Sequence, residues 1–423
     1  MSAQRGRVFS CRRFGTGFAS RRDGGEKDLA RRLRALSPER PLDAGAARGL
    51  VRDALVAVEP PSRVCTPFQE GMYTQPHGSS RKSAGQSLGR EELAGSEVYT
   101  PSMGGVHTLD QAPRPRAVCA IGAFDGVHRG HAALLRRARA EADARGDELV
   151  VVTFSPDPSV VLAPGHPQRM LMRDEDRLRA LGSTAGVDRL AVIDFTPELA
   201  ALPYDRFVRE VLGDLADLDC IVVGADFRLG AGGAGDVAAL AGLGRVDGFD
   251  VVGMELADEG GAPITATRIR ALLSEGAVEE AAGLLGRCHC VSGTVEHGRG
   301  EGTGFGFPTA NVRVGEGAAL PAEGVYAGYV ALGPTAWPAA INVGKPRSFS
   351  PGEEGAPFLE ATLLGFEGDL YGADVSVVFV RWLRAPRRFG SVEELERTVL
   401  GNVDWVRRTL GEKNVELSGE VAA

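Results

Sequence analysis

Two histidines three residues apart, His128 and His131, are the first side chains in this chain whose type and spacing could do chemistry. They close the run GAFDGVHRGH, which follows a short apolar stretch of buried-strand type, AVCAIG (117–122). The run opens directly into a segment whose Leu134, Leu135 and Ala138 recur at helical spacing. The pair is therefore expected at a strand-to-helix turn, beside the free N–H groups of a helix N-terminus. Such a terminus carries orphan donors and partial positive charge, which suits a phosphate. Gly130 lets the backbone approach closely what a larger side chain would hold off. Read alone, the pair equally fits a structural role or a place beside a metal ion. Far downstream lie three side chains that residue type and spacing alone do not tie together. Thr309 and Asn311 present oxygens at i, i+2 on one face of a strand-like run, and Glu360 sits in another, FLEATLL. A lone Glu on a strand is ordinarily an exposed charge.

The elements that must position these residues follow two rhythms. From 116 to 286 apolar runs (AVCAIG, LVVVTF, RLAVIDF, CIVVG, DVVGMEL) alternate with helical patterns such as DEDRLRALG and YDRFVREVLGDLA. Five such strands with crossovers predict a parallel sheet covered on both faces. Ligands of such sheets bind beyond the carboxyl ends of the strands, and His128, Asp157 and Asp226 all fall just after predicted strands. After 286, short strands divided by Gly and Pro (VSGTVEHG, FPTANVRV, GVYAGYVAL, PAAINVG, FLEATLLGF, DVSVVFVRWL) predict an antiparallel barrel or sandwich. A last helix carries Leu395, Val399, Val403 and Val406 at 3–4 spacing and should pack on it.

Residues 1–112 read differently, being punctuated by Gly, Ser, Arg and Pro. Segments 27–36 and 46–58 are helix candidates with little apolar surface, so a disordered or loosely attached extension is expected. The first 22 residues are Arg- and Ser-bearing, acid-free and transit-peptide-like; Met103 is an alternative start shortly before the first strand. The expected division is an extension (1–112), a first domain (113–287), a second (288–415) and a disordered tail (416–423).

A chain of 423 residues has room for two or three domains, and 43% hydrophobic with 25% charged residues is ordinary for a globular protein. The net charge of -8 hides a basic excess before residue 112 and an acidic body after it, which argues against a nucleic-acid-coating protein. Six scattered cysteines without a C-x-x-C pair suit a reducing cytoplasm. Cys288-His289-Cys290 lacks the second ligand pair of a zinc site. No run approaches the roughly 18 apolar residues of a membrane span. Neither nucleic acid nor membrane is expected as a partner, and self-association is left open.

H-x-G-H after a glycine turn resembles the signature of the nucleotidylyltransferase superfamily. GAFDGVHRGH in particular resembles the FMN adenylyltransferase module of prokaryotic bifunctional riboflavin kinase/FAD synthetases. The resemblance continues in order: VTFSPDP (152–158), VVGADFRLGAGGAGD (222–236) and ITATRIR (264–270). It implies a Rossmann-like domain in which FMN phosphate attacks the α-phosphate of ATP. The second pKa of such a phosphate is near ~6, so the nucleophile is already ionised at neutral pH and needs no base. The site must instead neutralise charge and hold the reactants in line. By resemblance, His128 and His131 donate to the α-phosphate, and Arg268 and Arg270 hold the β- and γ-phosphates with Thr265 and Thr267. Gly122, Phe124, Asp125, Gly130, Asp226, Phe227 and the 230–235 loop border nucleotide and flavin, and Mg²⁺ rides on the polyphosphate. Two departures stand out. Ala266 removes a hydroxyl, and Asp157 puts an anion where the family pattern has His.

Gly306-Phe307-Pro308-Thr309-Ala310-Asn311 resembles the G-F-P-T-A-N block of riboflavin kinases, with LPAEGVY, NVG, LEATLLGF and GDLYG in the family's order around it. This implies a small β-barrel kinase domain with a C-terminal helix. Its nucleophile, the 5′-hydroxyl of riboflavin, is un-ionised, so a positioned carboxylate must take its proton. Glu360 matches that base; Gly306 and Pro308 match the nucleotide loop, and Thr309 and Asn311 match ligands of Mg²⁺ and ATP phosphates. Glu301 and Thr303 stand where the family carries basic residues, while Arg299, Lys345 and Arg347 remain nearby. The expectation is a cytoplasmic enzyme that makes FMN and then FAD from riboflavin and ATP. Its rivals are a chain with a weakened or inactive kinase module, another small-substrate nucleotidylyltransferase, and a non-catalytic flavin-binding regulator.

Overall fold

The computed structural model describes residues 7–10, 28–55, 98–99, 114–184, 186–297, 309–344 and 358–417. Two helices come first, α1 (Leu29–Arg34) and α2 (Ala44–Leu55). A three-layer α/β unit follows. Its strands β1 (Arg116–Ile121), β2 (Glu148–Ser155), β3 (Arg189–Asp194), β4 (Asp217–Gly224) and β5 (Asp250–Met254) are parallel, in the order β3-β2-β1-β4-β5. Arg7–Ser10 extends the β3 edge antiparallel, with Val98–Tyr99 outside it.

Alternation along β1 sends Ala117, Cys119 and Ile121 to one face and Val118 and Ala120 to the other. The second face is covered by α3 (Arg129–Arg145) through Leu134, Leu135 and Ala138, and by α5 (Asp174–Gly182) through Leu181. The first face is covered by a broken helical run over 197–215 and by α6 (Val237–Asp247). Between β2 and α5 lies the short α4 (Pro158–Leu162). The unit ends in α7 (Ala266–Ser274) and α8 (Val278–Leu285).

Six antiparallel strands then close a barrel: β6 (His289–Glu296), β7 (Thr309–Val314), β8 (Gly324–Leu332), β9 (Thr335–Gly344), β10 (Phe358–Leu363) and β11 (Asp374–Arg384). The order β8-β11-β6-β7-β10-β9 closes through a β8–β9 pairing, which leaves no free edge among these six. Ala310, Val312, Ile341, Leu359 and Ala361 fill its interior, while α9 (Val392–Leu410) buries Val403 and Val406 on its outside. The parallel α/β unit, the closed antiparallel barrel and the C-terminal helix are those the sequence rhythm predicts.

Within the expected extension, 28–55 docks on the barrel. Sparse as their apolar residues are, α1 and α2 carry Leu33, Ala47, Val51, Ala54 and Leu55 on covered faces, all 2% exposed or less. These join Cys288, Tyr329, Val378 and Val403 in one cluster. Leu42 donates its N–H to the Thr409 carbonyl, and Arg34 pairs with Glu280 at 2.6 Å. A segment with little apolar surface is stable here because a neighbouring module supplies the other half of the core.

Candidate active sites

The turn that sets the histidines is an unusual piece of backbone. Phe124 (φ 56°), Gly126 (φ 75°) and Val127 (φ 36°) all lie in the left-handed region, the last a β-branched residue for which this is strained. The chain then enters α3 with His128 as N-cap: its Nδ1 accepts from the His131 N–H at 3.3 Å. With Nδ1 an acceptor, the His128 proton sits on Nε2. The two imidazoles stack with centroids 3.6 Å apart, and Phe124 meets His131 edge-on at 5.2 Å. Burial first, and then the guanidiniums of Arg287 and Arg270, push His128 down to about 3. His131 is lowered well below its ordinary value by burial, His128, Arg287 and Arg177. Both rings are therefore neutral at pH 7. His131 Nδ1 is buried with no hydrogen-bond partner among the described residues.

Gly130 is where two distant motifs meet. A Cβ there would stand 3.0 Å from both the His128 ring and the Ile264 carbonyl, tighter than ordinary contact, so glycine eases the close approach of 264–270 to the histidine turn. Thr265 caps α7, accepting from the Arg268 N–H at 3.1 Å, and Ala266 is simply its first residue. Arg268 donates to the carbonyls of Ala262, Pro263 and Glu259. Arg270 donates to the Arg169 carbonyl and pairs with Asp125 at 2.6 Å, while Thr267 is exposed at the start of α7. Asp125 is 4% exposed and also accepts from the Leu171 and Met172 N–H groups. Its carboxylate thus faces protein beneath the site, a placement the spacing of GAFDGVHRGH does not reveal. Burial raises its pKa despite these partners.

Gly122 donates to Val152 and packs on the Phe124 ring; Asp226 is exposed in the turn after β4, and Phe227 is partly buried beside it. The glycines of the 230–235 loop have a packing reason. A Cβ on Gly230 would lie 2.4 Å from the Tyr204 nitrogen, and one on Gly235 2.5 Å from Tyr204 Cβ. Asp157 caps α4, accepting from the Ser159 N–H at 2.9 Å and its hydroxyl at 2.6 Å.

In the barrel, register does the positioning. Asn311 on β7 lies directly opposite Glu360 on β10, and Glu360 opposite Asn342 on β9; Thr309 is opposite Thr362 in the next row. All are half-buried and alternate with the core residues Ala310, Leu359 and Ala361. Thr309, Asn342, Glu360 and Thr362, together with Arg384, Arg387, Phe389 and Asn402, line a cavity of about 350 Å³ beneath α9, with Asn311 in the strand register beside them. Asn342 and Thr362 fall in the motifs NVG and LEATLLGF but carry no role there, and Asn402 is not singled out, because only strand register and helix docking bring them here. Arg387 stacks over the Phe389 ring at 4.9 Å. Gly306, Pro308, Arg299, Glu301, Thr303, Lys345 and Arg347 lie outside the described residues. Cys288, His289 and Cys290 are divided between cores: the two thiols pack on the outer cluster, and His289 donates to the Ala319 carbonyl at 2.8 Å. Among the described residues no group of three His, Cys, Asp or Glu is placed to hold a metal ion.

A parallel sheet with fixed donors beyond its strand ends, joined to a closed barrel with a carboxylate in a pocket, defines a two-module transferase of phosphate-bearing groups. Residues 110–268 match the family model described as FAD synthetase, and 285–410 the one described as riboflavin kinase. The chain belongs to the bifunctional riboflavin kinase/FMN adenylyltransferase family. The curated relative of that description from Escherichia coli (strain K12) is 36% identical over 70% of this chain and 93% of its own. Those from Pseudomonas fluorescens (34%; 71% and 94%) and Bacillus subtilis (30%; 69% and 92%) agree. A solved structure described as a macrolide-efflux protein from Streptococcus pneumoniae shares the fold, with TM-score 0.63, 28% identity and coverage of 70% of this chain and 96% of its own. No helix among the described residues is long and apolar enough to cross a membrane.

Proposed function

We propose that the histidine turn and α7 carry FMN adenylylation and that the Asn311–Glu360–Asn342 row carries riboflavin phosphorylation. The chain is a bifunctional enzyme of flavin synthesis: ATP and riboflavin give FMN, and ATP and FMN give FAD and pyrophosphate. What supports the residue assignment above all is how closely Gly130 and Ile264, far apart in sequence, approach: a Cβ on Gly130 would stand 3.0 Å from the Ile264 carbonyl, which brings α7 to the histidine turn.

At the first site the FMN phosphate is already an anion. The neutral His128 offers one directed Nε2–H donor, held by the His131 N–H at its other nitrogen. His131 adds a second imidazole, and the α7 N-terminus supplies amides for the departing pyrophosphate. Arg268 and Arg270 lie at that terminus, both held by backbone carbonyls. Asp125 acts through Arg270 rather than on the ligand, given its buried partners. Asp226 and the 230–235 loop border the nucleotide.

At the second site Glu360 takes the proton of the riboflavin 5′-hydroxyl as it attacks the γ-phosphate. The Thr309 hydroxyl and Asn311 amide oxygen are hard donors on one face of β7, the type Mg²⁺ prefers when phosphates complete its shell. Bound there, the ion would neutralise charge on the transferring phosphoryl group. Four free thiols among the described residues, three of them buried, support a reducing cytoplasm. The test is to feed riboflavin or FMN separately with ATP, with and without Mg²⁺, and separate the flavins. The expected outcome is FMN and FAD from riboflavin, FAD from FMN, and neither after chelation. FAD from supplied FMN alone would leave the kinase module inactive, and no turnover at all would leave a flavin-binding regulator.

A further inference from the structure

The strained histidine turn needs something to hold its carbonyls, and two guanidiniums do so. Arg177, fully buried on α5, donates to the Ala123 carbonyl at 2.7 Å. Arg287 donates to the Gly126 carbonyl at 2.7 Å and to the Val127 carbonyl at 3.2 Å. Arg287 is not part of the sheet unit. It lies in the connection between α8 and β6, two residues before the barrel begins. There it lines a small cavity with Ala54 of α2 and with Leu171 and Met172 of the α/β unit, and its guanidinium also contacts the Met172 sulfur at 3.2 Å.

We propose that Arg287 is a positioning residue for FMN adenylylation: from the start of the kinase module it fixes the left-handed turn that aims His128 and His131. This rests on the reading of the histidine pair as the adenylylation site. A valine at φ 36° persists only where its surroundings over-determine it. On its far side the turn is tied through Asp125 to Leu171, Met172 and Arg270; on the near side the Gly126 and Val127 carbonyls are held by Arg287. Without it, two carbonyls lose their donors and the turn can relax toward ordinary backbone, rotating the N-cap imidazole away from its aim. A displacement of about 1 Å at a reacting centre costs on the order of 100-fold in rate. Burial chiefly keeps the imidazole pair neutral, and the same guanidinium, with Arg177 and Arg270, adds to it, Asp125 being the nearby anion.

The experiment uses the full chain carrying Arg287→Met or Arg287→Lys, with riboflavin phosphorylation in the same protein as internal control. The expected result for Arg287→Met is a fall of about tenfold or more in kcat for FMN to FAD, with KM for ATP and FMN held within about twofold. Riboflavin kinase kcat should be retained, and Arg287→Lys, which can still donate to one carbonyl, should recover part of the loss. An unchanged FAD rate, or a parallel loss of both activities tracking the folded fraction, overturns the proposal. Should Arg287→Met not accumulate folded, the same criteria apply to Arg287→Lys. His128→Ala in parallel separates the two ideas: if it retains FAD synthesis, the site reading fails and this inference with it. If it is inactive while both Arg287 variants keep full activity, only the role of Arg287 falls.

Discussion

The two sites are built in opposite ways. At the histidine turn the working groups are taken out of water, stacked on one another and fixed from beneath by a buried carboxylate and two guanidiniums. In the barrel they stand on alternate positions of strands whose other face is the core, and they open on a cavity of about 350 Å³. The difference follows from the nucleophile. A phosphate arrives ionised, so a protein gains by presenting donors that need no reorganisation. A hydroxyl must lose a proton, so a carboxylate has to remain ionised, half-exposed and in reach.

The sharpest way to break this contrast is to remove one group from each side and assay both reactions. Glu360→Gln should lower riboflavin phosphorylation by about 100- to 10,000-fold, the usual worth of a general base, and leave FAD synthesis from supplied FMN unchanged. His128→Ala should do the reverse, reducing FAD synthesis by roughly 100- to 1,000-fold as loss of one preorganised donor does, with FMN formation intact. A kinase that survives Glu360→Gln would mean that the barrel, like the histidine turn, works by positioning alone.

Much of this was legible in the sequence, and the gaps have physical causes. The five parallel strands and the six of the barrel are short apolar runs bounded by helical patterns or by Gly and Pro, a local signal. Thr309, Asn311 and Glu360 could be singled out because their contiguous motifs resemble those of riboflavin kinases, not because of residue type or spacing alone. Asn342 could not be given a role, because its place beside Glu360 depends on the pairing of β9 with β10. Asp125 looks like a ligand contact in its motif, yet its partners (Leu171, Met172, Arg270) come from other segments. The docking of α1 and α2 was hidden for the same reason. Leu33 and Val51 are too few to stabilise helices alone, and the surface that completes their core lies more than two hundred residues away in the chain.

That docking gives an effect of intermediate size. Leu55→Ala, at a position 2% exposed, should destabilise the barrel by about 2–5 kcal/mol, read as a lower Tm and earlier thermal loss of kinase activity. An unchanged Tm would mark α1 and α2 as a loose attachment. The histidines supply a second test. His128 is lowered to about 3, His289 to about 4 and His131 well below 6.5, so between pH 6.5 and about 5 the unfolded chain binds more protons than the folded one. Stability must therefore rise with pH through that window, and Tm at pH 5 should lie below Tm at pH 7. Asp125 and Glu279, raised chiefly by burial, contribute in the opposite sense upward from their ordinary carboxylate values, so the three imidazoles act against them. An equal or higher Tm at pH 5 would mean that the imidazoles are not buried neutral.

The smallest effect concerns Asp157, the anion where the family pattern has His. Its carboxylate serves as the cap of α4, bonded to Ser159, and its charge adds to the burial that raises Asp125. These two roles separate by substitution. Asp157→Asn keeps a cap acceptor and removes the charge, so Asp125 ionises more readily, its pair with Arg270 tightens, and FAD synthesis should hold or rise by up to about twofold. Asp157→His should likewise keep or raise activity but lose the cap, at about 0.5–2 kcal/mol of stability. A large loss of FAD synthesis in Asp157→Asn with Tm unchanged would give this carboxylate a part in the chemistry, and the histidine side of the molecule would then also depend on an anion poised at its rim.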